Sequence, residues 1–157
     1  MLGNTMEDLG GLPEFLVIAK RNTFASGSKG IKEKDHSTLY EYEKEDWHYR
    51  DQSYGDGDHF LGHETVWKKK RTVWGMNYHG VKLDTLFEQK RLYDFLREAL
   101  KQVEPSSPYR GPDKYESNNL RYSNVITGEL GSFRGVEFIY ETGRTLYQLD
   151  YHGGGLD

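Results

Sequence analysis

The 157-residue chain contains no cysteine, only four prolines and no apolar run long enough to cross a membrane. The absence of cysteine excludes thiol catalysis, thiolate metal sites and disulfides. The first residues, MLGNTMEDLGG, lack both the basic start and the apolar stretch of a secretion signal. We therefore expect a cytoplasmic protein that has no membrane partner.

The charge balance disfavours nucleic acid as a partner. The formal net charge is −4 at pH 7 and the sequence pI is about 5.9, so the chain has no general attraction for phosphates. One basic run, Lys68 to Arg71, lies between two predicted strands and is either a solvated hairpin turn or an anion-binding tip. No phosphate-binding loop, nucleophile elbow or dinucleotide fingerprint is present, so we expect no cofactor and assign no catalytic residue.

Aromatic residues dominate the apolar part of the composition. The chain has 12 Tyr, 7 Phe and 3 Trp, whereas the aliphatic residues are sparse for a globular protein. Tyrosine and tryptophan favour strands and carry a polar group that needs a partner when buried. We expect an aromatic core within one domain that spans residues 1–157.

Two segments of the chain are similar to each other. Residues 60–84 and 133–157 align without a gap at an offset of 73, and ten of the 25 aligned positions are identical. Unrelated segments of ordinary composition would share about one or two identities. The similarity predicts an internal repeat of one supersecondary unit. The identical pairs are Phe60/Phe133, Gly62/Gly135, Glu64/Glu137, Arg71/Arg144, Thr72/Thr145, Tyr78/Tyr151, His79/His152, Gly80/Gly153, Leu83/Leu156 and Asp84/Asp157.

The order of periodic segments suggests a fold class. A first helix is expected from Pro13 to Phe24, and a second follows the capping-box spacing of Thr85 and Glu88 and ends before Pro105. The apolar stripe of the second helix is Leu92, Phe95, Leu96, Ala99, Leu100 and Val103. Alternating segments after each helix predict strands, at about 37–43, 46–53, 60–68 and 71–79 in the first half and about 115–126, 132–141 and 144–152 in the second. Residues 104–119 are expected to form a long polar loop. We therefore predict an α+β fold of two pseudo-symmetric units, about 12–84 and 85–157. Each unit is a helix followed by a three- or four-stranded antiparallel meander, and the helices pack on one face of a curved sheet.

Strand alternation gives a candidate polar face on the other side of that sheet. Two-residue hairpin turns would place the large apolar side chains of both units toward the helices and leave carboxylate, guanidinium and imidazole groups on the opposite face. The residues expected toward the helices are Thr65, Trp67, Trp74, Met76, Tyr78, Val136, Phe138, Tyr140, Tyr147, Leu149 and Tyr151. The binding residues predicted on this face are Glu64, Arg71, Asn77, His79, Glu137, Arg144, Asp150 and His152. The two arginines would contact anions.

The polar face is open to several interpretations. It is an ordinary solvent-facing surface, a surface that binds a polar ligand, or a catalytic site in which Glu and His transfer protons. A metal site would require Glu64, His79, Glu137 and His152 to converge, and no metal-binding spacing supports it. The acidic segment from Asp51 to His59 superficially resembles a calcium loop but lacks its closing Glu, so an acidic turn is the simpler interpretation.

Five short segments resemble an uncharacterised bacterial family of small domains that occur alone or C-terminal to helix-turn-helix (XRE-like) regulator domains. The segments are FLVIAK (15–20), WGMNYHG (74–80), PYRGP (108–112), FRGVEFIY (133–140) and YQLDYHGG (147–154). The resemblance implies a sensing or protein-contacting module and supplies no activity or catalytic residue. We expect no DNA-binding domain in the short segment that precedes the first helix.

The sequence thus favours a non-enzymatic module that binds a small polar molecule or a protein partner, and the resemblance implies a regulatory role. A small hydrolase or isomerase that uses Glu/His acid-base chemistry is the enzymatic alternative. A structural or assembly protein is the third, in which Trp47, Tyr49 and Tyr54 would form a contact patch.

Overall fold

The computed structural model describes residues 9–157 of the protein. The helices are α1 (Leu12–Arg21) and α2 (Gln89–Leu100), and a short 3₁₀ turn (Phe24–Ser26) follows α1. The strands are β1 (Ile31–Lys32), β2 (Thr38–Lys44), β3 (Trp47–Tyr54), β4 (His59–Lys68), β5 (Arg71–Lys82), β6 (Lys114–Ser117), β7 (Leu120–Glu129), β8 (Ser132–Glu141) and β9 (Arg144–Gly155).

All nine described strands belong to one antiparallel sheet with the order β1-β2-β3-β4-β5-β9-β8-β7-β6. The prediction of an α+β fold made of two helix-plus-meander units is therefore wrong. The protein is mainly β, with 52% of its residues in strands and 17% in helices. The units do not form separate sheets because β5 and β9 pair along nine residues, from Trp74↔Gly155 to Lys82↔Tyr147.

The two helices cover one face of the sheet with apolar side chains. Helix α1 carries Pro13 in its first turn, as predicted, because proline has no amide hydrogen to lose there. The predicted apolar stripe of α2 is confirmed, since Leu92, Phe95, Leu96, Ala99 and Leu100 are buried. Neither helix is long and apolar enough to cross a membrane.

The capping box predicted for the second helix does not form. Helix α2 begins at Gln89, and its N-cap residue, Glu88, makes no side-chain capping bond. Thr85 lies in the turn before the helix, where its carbonyl accepts a hydrogen bond from Lys82 Nζ at 3.1 Å. Helix α2 therefore begins after the predicted cap and not at it.

The core is one continuous aromatic cluster between the helices and the sheet, as the composition predicts. Trp74 and Tyr147 occupy neighbouring central strands and are fully buried. Their burial gives a core whose polar Tyr and Trp groups all need hydrogen-bond partners. The other large side chains in the cluster include Phe15, Tyr49, Tyr78, Phe95, Tyr109, Tyr122, Phe133 and Tyr151.

Each long hairpin contains a β-bulge that reverses the predicted facing of one strand. The β4–β5 register shifts between Val66 and Trp67, and the β8–β9 register shifts between Ile139 and Tyr140. A bulge adds one residue to a strand, and a shift of one residue exchanges the two faces. The prediction that Thr65, Trp67, Val136, Phe138 and Tyr140 face the helices is therefore wrong.

The basic run forms a tight hairpin turn. Lys68 pairs with Arg71, and the two residues between them, Lys69 and Lys70, have φ angles of 50° and 66°. Both lysines are exposed. The run is a solvated two-residue turn, although lysine is a poor residue for this backbone conformation.

Candidate functional site: a cavity beside helix α2

The structure divides the eight predicted binding residues among three places. The sheet face opposite the helices, which we call the open face, carries four of them at its centre: Asn77, His79, Asp150 and His152. Asn77 pairs with His152 and His79 with Asp150 across β5 and β9. Asn77 Nδ2 and His152 Nε2 are 3.4 Å apart. The other four predicted residues lie elsewhere.

Glu64 and Glu137 are buried on the helix side, with exposed fractions of 1% and 0%. Arg71 and Arg144 are exposed at the hairpin ends, where Arg144 forms an ion pair with Asp84 at 2.9 Å. The glutamates and histidines therefore face opposite sides of the sheet, so the Glu/His acid-base pair does not form. No group of three or more His, Asp or Glu among residues 9–157 is placed to hold a metal ion.

Glu64 lies in a buried ion pair instead. Lys20 Nζ donates to Glu64 Oε1 at 2.6 Å and to the carbonyl of Tyr109 at 2.7 Å. The hydroxyl of Tyr49 also donates to Glu64 Oε1. Burial lowers the pKa of Lys20, and the charge of Glu64 opposes that change. The pair joins α1 to the sheet and to the loop after α2.

Glu137 forms a second buried ion pair, with Arg110 of that loop. The Nη2 and Nε atoms of Arg110 donate to the two carboxylate oxygens of Glu137 at 2.6 and 3.2 Å. Tyr122 and Tyr147 donate their hydroxyl hydrogens to the same carboxylate at 2.6 and 2.7 Å. Burial acts against the charge of Arg110, but Glu137 outweighs it and holds the pKa of Arg110 well above its usual value.

Asp51, on β3, is a buried carboxyl beside these two ion pairs and has no cationic partner within ion-pair distance in the described chain. Tyr78 on β5 donates its hydroxyl hydrogen to Asp51 Oδ1 at 2.6 Å. The tyrosine ring reaches across β4 because Gly62 lies between them, where a Cβ atom would collide with the Tyr78 hydroxyl. Glycine at this position therefore allows the contact.

The surroundings of Asp51 favour its neutral form. Burial raises the pKa of Asp51 from 3.8 to about 7, and the charge of Glu64 adds to that effect. The hydrogen bond from Tyr78 and the charges of Arg110 and Lys20 act in the opposite direction. Lys20 is paired with Glu64 and Arg110 with Glu137, so Asp51 is a third carboxyl beside two cations that already have partners. Its charge is left without direct compensation.

Asp51, Tyr78 and Arg110 form the deep end of a cavity of about 230 Å³ that lies between the sheet and α2. We call it the Asp51 cavity. Its walls combine aromatic and apolar side chains with polar ones such as Thr38, Ser53 and Arg97, and the aromatic and apolar members are Phe24, Tyr40, Phe60, Tyr93 and Leu96. The Phe60 ring contacts both Tyr78 and Tyr93 edge-on, with centroids 6.2 and 6.1 Å apart. The cavity therefore combines aromatic rings with the ionisable residues of its deep end.

The outer end of the cavity is polar and joins α2 to the turn between β3 and β4. Tyr93 donates its hydroxyl hydrogen to the carbonyl of Gly57 at 3.1 Å, and Gln89 Nε2 donates to the carbonyl of Asp56 at 2.9 Å. Burial raises the pKa of Tyr93 to about 12, with a further contribution from Asp58. Arg97 stacks on Phe24 at 4.5 Å. The Nε of Arg97 is buried without a hydrogen-bond partner in the described chain.

The deep end keeps hydrogen-bonding capacity that residues 9–157 do not use. Asp51 Oδ1 accepts from Tyr78, whereas no described residue donates to Asp51 Oδ2. Arg110 uses Nε and Nη2 on Glu137, and its Nη1 donates to no described acceptor. An acceptor and a donor therefore line the same cavity as several aromatic rings, an arrangement typical of small-molecule sites.

A comparison of the chain with protein-family models identifies its family. The model described as "Domain of unknown function (DUF5680)" matches residues 51–156. The chain belongs to the DUF5680 family. A search of curated proteins and a search of solved structures each found no match.

The DUF5680 match includes the deep end of the cavity. It begins at Asp51 and contains Glu64, Tyr78, Arg110 and Glu137. Lys20 and Phe24 lie before it. The part of the earlier resemblance that names a domain of unknown function is therefore confirmed.

The sequence analysis did not predict Asp51, Lys20 or Arg110 as candidate site residues of this DUF5680 chain. It placed Asp51 in an acidic turn, but Asp51 lies within β3 and the turn begins after Tyr54. It interpreted residues 104–119 as a polar loop, whereas Tyr109 and Arg110 are buried there. The alternation Tyr49, Asp51, Ser53 was the available signal, because it places Asp51 on the face of the buried Tyr49.

The contact patch predicted for assembly does not form on this DUF5680 chain. Tyr49 is buried with an exposed fraction of 2%. Trp47 stacks on Phe15 at a centroid distance of 5.3 Å. Both rings therefore belong to the cover between α1 and the sheet, and only Tyr54 of the predicted patch remains.

Proposed function

We propose that the protein is a non-enzymatic binding module for a small polar organic molecule, which it holds in the Asp51 cavity. The observation that carries the proposal is the unused acceptor of Asp51 beside the unused donor of Arg110, at the deep end of an aromatic chamber. A ligand that pairs with both groups exchanges their hydrogen bonds with water for hydrogen bonds to charged side chains, and the two contacts fix its orientation in the cavity.

The size of the cavity limits the ligand. Its volume is about 230 Å³, whereas an apolar cavity of about 150 Å³ is large enough to bind benzene. The aromatic side chains offer stacking and edge-on contacts to another ring. A molecule of one ring with a polar substituent fits both the volume and the walls.

The experiment is a thermal-shift screen of single-ring compounds with two matched variants. Ser53→Phe adds a ring to a residue that lines the cavity, whereas His63→Phe adds a ring to the open face. Compounds that stabilise the wild type should stabilise His63→Phe and not Ser53→Phe, because a ligand that binds the native state raises its stability by mass action.

Two results would contradict the proposal. If no compound stabilises the wild type, the cavity is not a small-molecule site. If Ser53→Phe keeps the response and His63→Phe loses it, the ligand binds the open face around His79 and His152, which is the site that the sequence predicts. Both variants should first be shown to unfold cooperatively.

We extend the proposal to a regulatory role. The support is the resemblance to bacterial domains that accompany XRE-like helix-turn-helix regulators. A sensing module must change a surface that a partner can contact, and α2 has cavity residues on one side and exposed charges such as Lys90 on the other. Hydrogen exchange should show slower exchange along α2 when a ligand from the screen is bound. Exchange that changes only in β3 and β4 would argue against regulation through α2.

A further inference from the structure

Four pairs of side chains, each pair 73 residues apart, form matching hydrogen bonds at the two ends of the sheet. Tyr78 donates to Asp51 at 2.6 Å, and Tyr151 donates to Asn124 Oδ1 at 2.7 Å. Tyr49 donates to Glu64 and Tyr122 donates to Glu137. Gly62 and Gly135 allow the two long tyrosines to cross, since a Cβ at either would collide with the ring. We call the set around Asp51 the first arrangement and the set around Asn124 the second arrangement, and the two can be compared atom by atom.

In the second arrangement, a peptide group of the protein itself occupies the space in front of Asn124. Asn124 Nδ2 donates to the carbonyl of Gly111 at 3.1 Å, and the amide of Gly111 donates to the Tyr122 hydroxyl at 3.0 Å. The fit is close, because a Cβ at Gly111 would lie 2.7 Å from the Tyr122 ring. This half of the sheet thus binds an amide group from the loop after α2.

In the first arrangement, the residue that corresponds to Asn124 is Asp51, which faces the cavity. An aspartate has no N–H group, so its Oδ2 can accept a hydrogen bond where Asn124 donates one. The complementary donor at the same end of the cavity is the Nη1 of Arg110. Asp51 and Arg110 would therefore bind an amide group in the orientation opposite to that of the Gly111 peptide. Its N–H would donate to Asp51, and its carbonyl would accept from Arg110.

From this comparison we infer that the Asp51 cavity recognises a primary or secondary carboxamide attached to a ring, with the amide N–H on Asp51 and the amide carbonyl on Arg110. The inference rests on the proposed function and specifies the ligand class for the same cavity. The ring lies between Phe24, Tyr40, Phe60 and Tyr93. Carboxylates and esters have no N–H that could donate to Asp51, and amidinium cations have no oxygen that could accept a hydrogen bond from Arg110.

The test uses four compounds that share one ring: benzamide, methyl benzoate, benzoate and benzamidine. Their dissociation constants are measured by ligand-observed NMR at pH 8, above the pKa of Asp51 of about 7. Benzamide should bind on the order of tenfold or more tightly than methyl benzoate and benzoate, because a hydrogen bond to a charged group is among the stronger ones. Benzamide should also bind more tightly than benzamidine.

Asp51→Asn is the variant that tests the assignment of the N–H contact. Asn124 shows that an asparagine accepts the tyrosine hydroxyl in this arrangement, so the bond from Tyr78 should persist. The substitution replaces the acceptor with a donor, so the preference for benzamide over methyl benzoate should fall to about equal affinity or reverse. Asp46→Asn, in the exposed turn between β2 and β3 and outside the cavity lining, is the control and should keep the preference.

The failures of the inference and of the proposed function are distinguishable. Tightest binding by benzamidine or benzoate, or an unchanged preference in Asp51→Asn, would overturn the amide inference while the cavity remained a binding site. No binding by any of the four compounds would also overturn the inference. The proposed function would then be decided by the wider screen and its Ser53→Phe variant.

Discussion

The hydroxyl of Tyr78 reaches across a neighbouring strand to donate a hydrogen bond to Asp51 at 2.6 Å. The contact joins β5 to β3 over Gly62 of β4, and it engages Oδ1 of Asp51. Burial raises the pKa of Tyr78 well above its usual value, so the hydroxyl keeps its hydrogen to donate. Several measurable properties follow from this contact and from the ion pairs beside it.

The stability of the protein should depend on pH through Asp51. The unfolded chain releases the Asp51 proton near pH 3.8, whereas the folded protein keeps it until about pH 7. The contribution of the neutral carboxyl is therefore complete below pH 3.8, is lost as the pH rises toward 7, and is constant above that. Within this window the wild type should lose about 1.4 kcal/mol of unfolding free energy per pH unit relative to Asp51→Asn. Urea unfolding of both proteins at several pH values measures the difference, and parallel curves would contradict the prediction.

Gly62→Ala should destabilise the fold by about 1–3 kcal/mol, the usual cost of overpacking. The added methyl group would collide with the Tyr78 hydroxyl and with the carbonyl of Gln52, which lies 2.5 Å from the Cβ position. Gly131→Ala is the control, since nothing lies within 4 Å of its Cβ position, and it should change stability by less than about 0.5 kcal/mol. Thermal and urea unfolding measure both. Equal effects would mean that the ring of Tyr78 does not require glycine at residue 62.

Removing one partner of a buried ion pair should cost more than removing both. Lys20→Met leaves the carboxylate of Glu64 buried without its cation and should destabilise by about 3–5 kcal/mol. The double variant Lys20→Met/Glu64→Gln should recover much of that loss, because no uncompensated charge remains. A double-mutant cycle from urea unfolding gives the coupling. Additive losses would show that Lys20 and Glu64 act independently.

The turn at Lys69 and Lys70 should be improved by residues that tolerate positive φ. Replacing the pair with Asn-Gly should stabilise the fold by about 0.5–1 kcal/mol, because asparagine and glycine adopt this backbone with less strain. The ends of the hairpin lie far along the strands from Glu64 and Tyr78, so ligand binding should not change. An increase in the unfolding temperature with unchanged affinity is the expected result. Destabilisation would indicate that the lysine side chains contribute more than the backbone costs.

Some elements of the fold were predictable because their signals are local. The stripe of α2 gives its buried face through a 3.6-residue period, and the abundance of tyrosine correctly predicts an aromatic core. The strands β4, β5, β8 and β9 were expected within a few residues of their bounds. The segment 115–126 was predicted as one strand, but Asn118 and Asn119 adopt positive φ and separate β6 from β7.

The candidate site was not predictable in the same way. The register shifts after Val66 and Ile139 exchange the faces of β4 and β8, so the glutamates expected on the polar face are buried. Nothing in the sequence near Glu137 indicates that Arg110, 27 residues away, supplies its cation. The side chains that bind across strands are separated along the chain, and only the pairing of the strands brings them together.

The sequence by itself determined the aromatic core, the buried stripe of α2 and the similarity of two segments 73 residues apart, because these properties depend on residue type and local spacing. Only the tertiary structure decided that β5 and β9 join all strands into one sheet, that a bulge places Glu64 and Glu137 inside, and that Asp51 meets Tyr78 and Arg110 at the end of a cavity. The physical reason is that register, bulges and buried charge pairs are set by the free energy of the whole packed sheet, which no single segment contains.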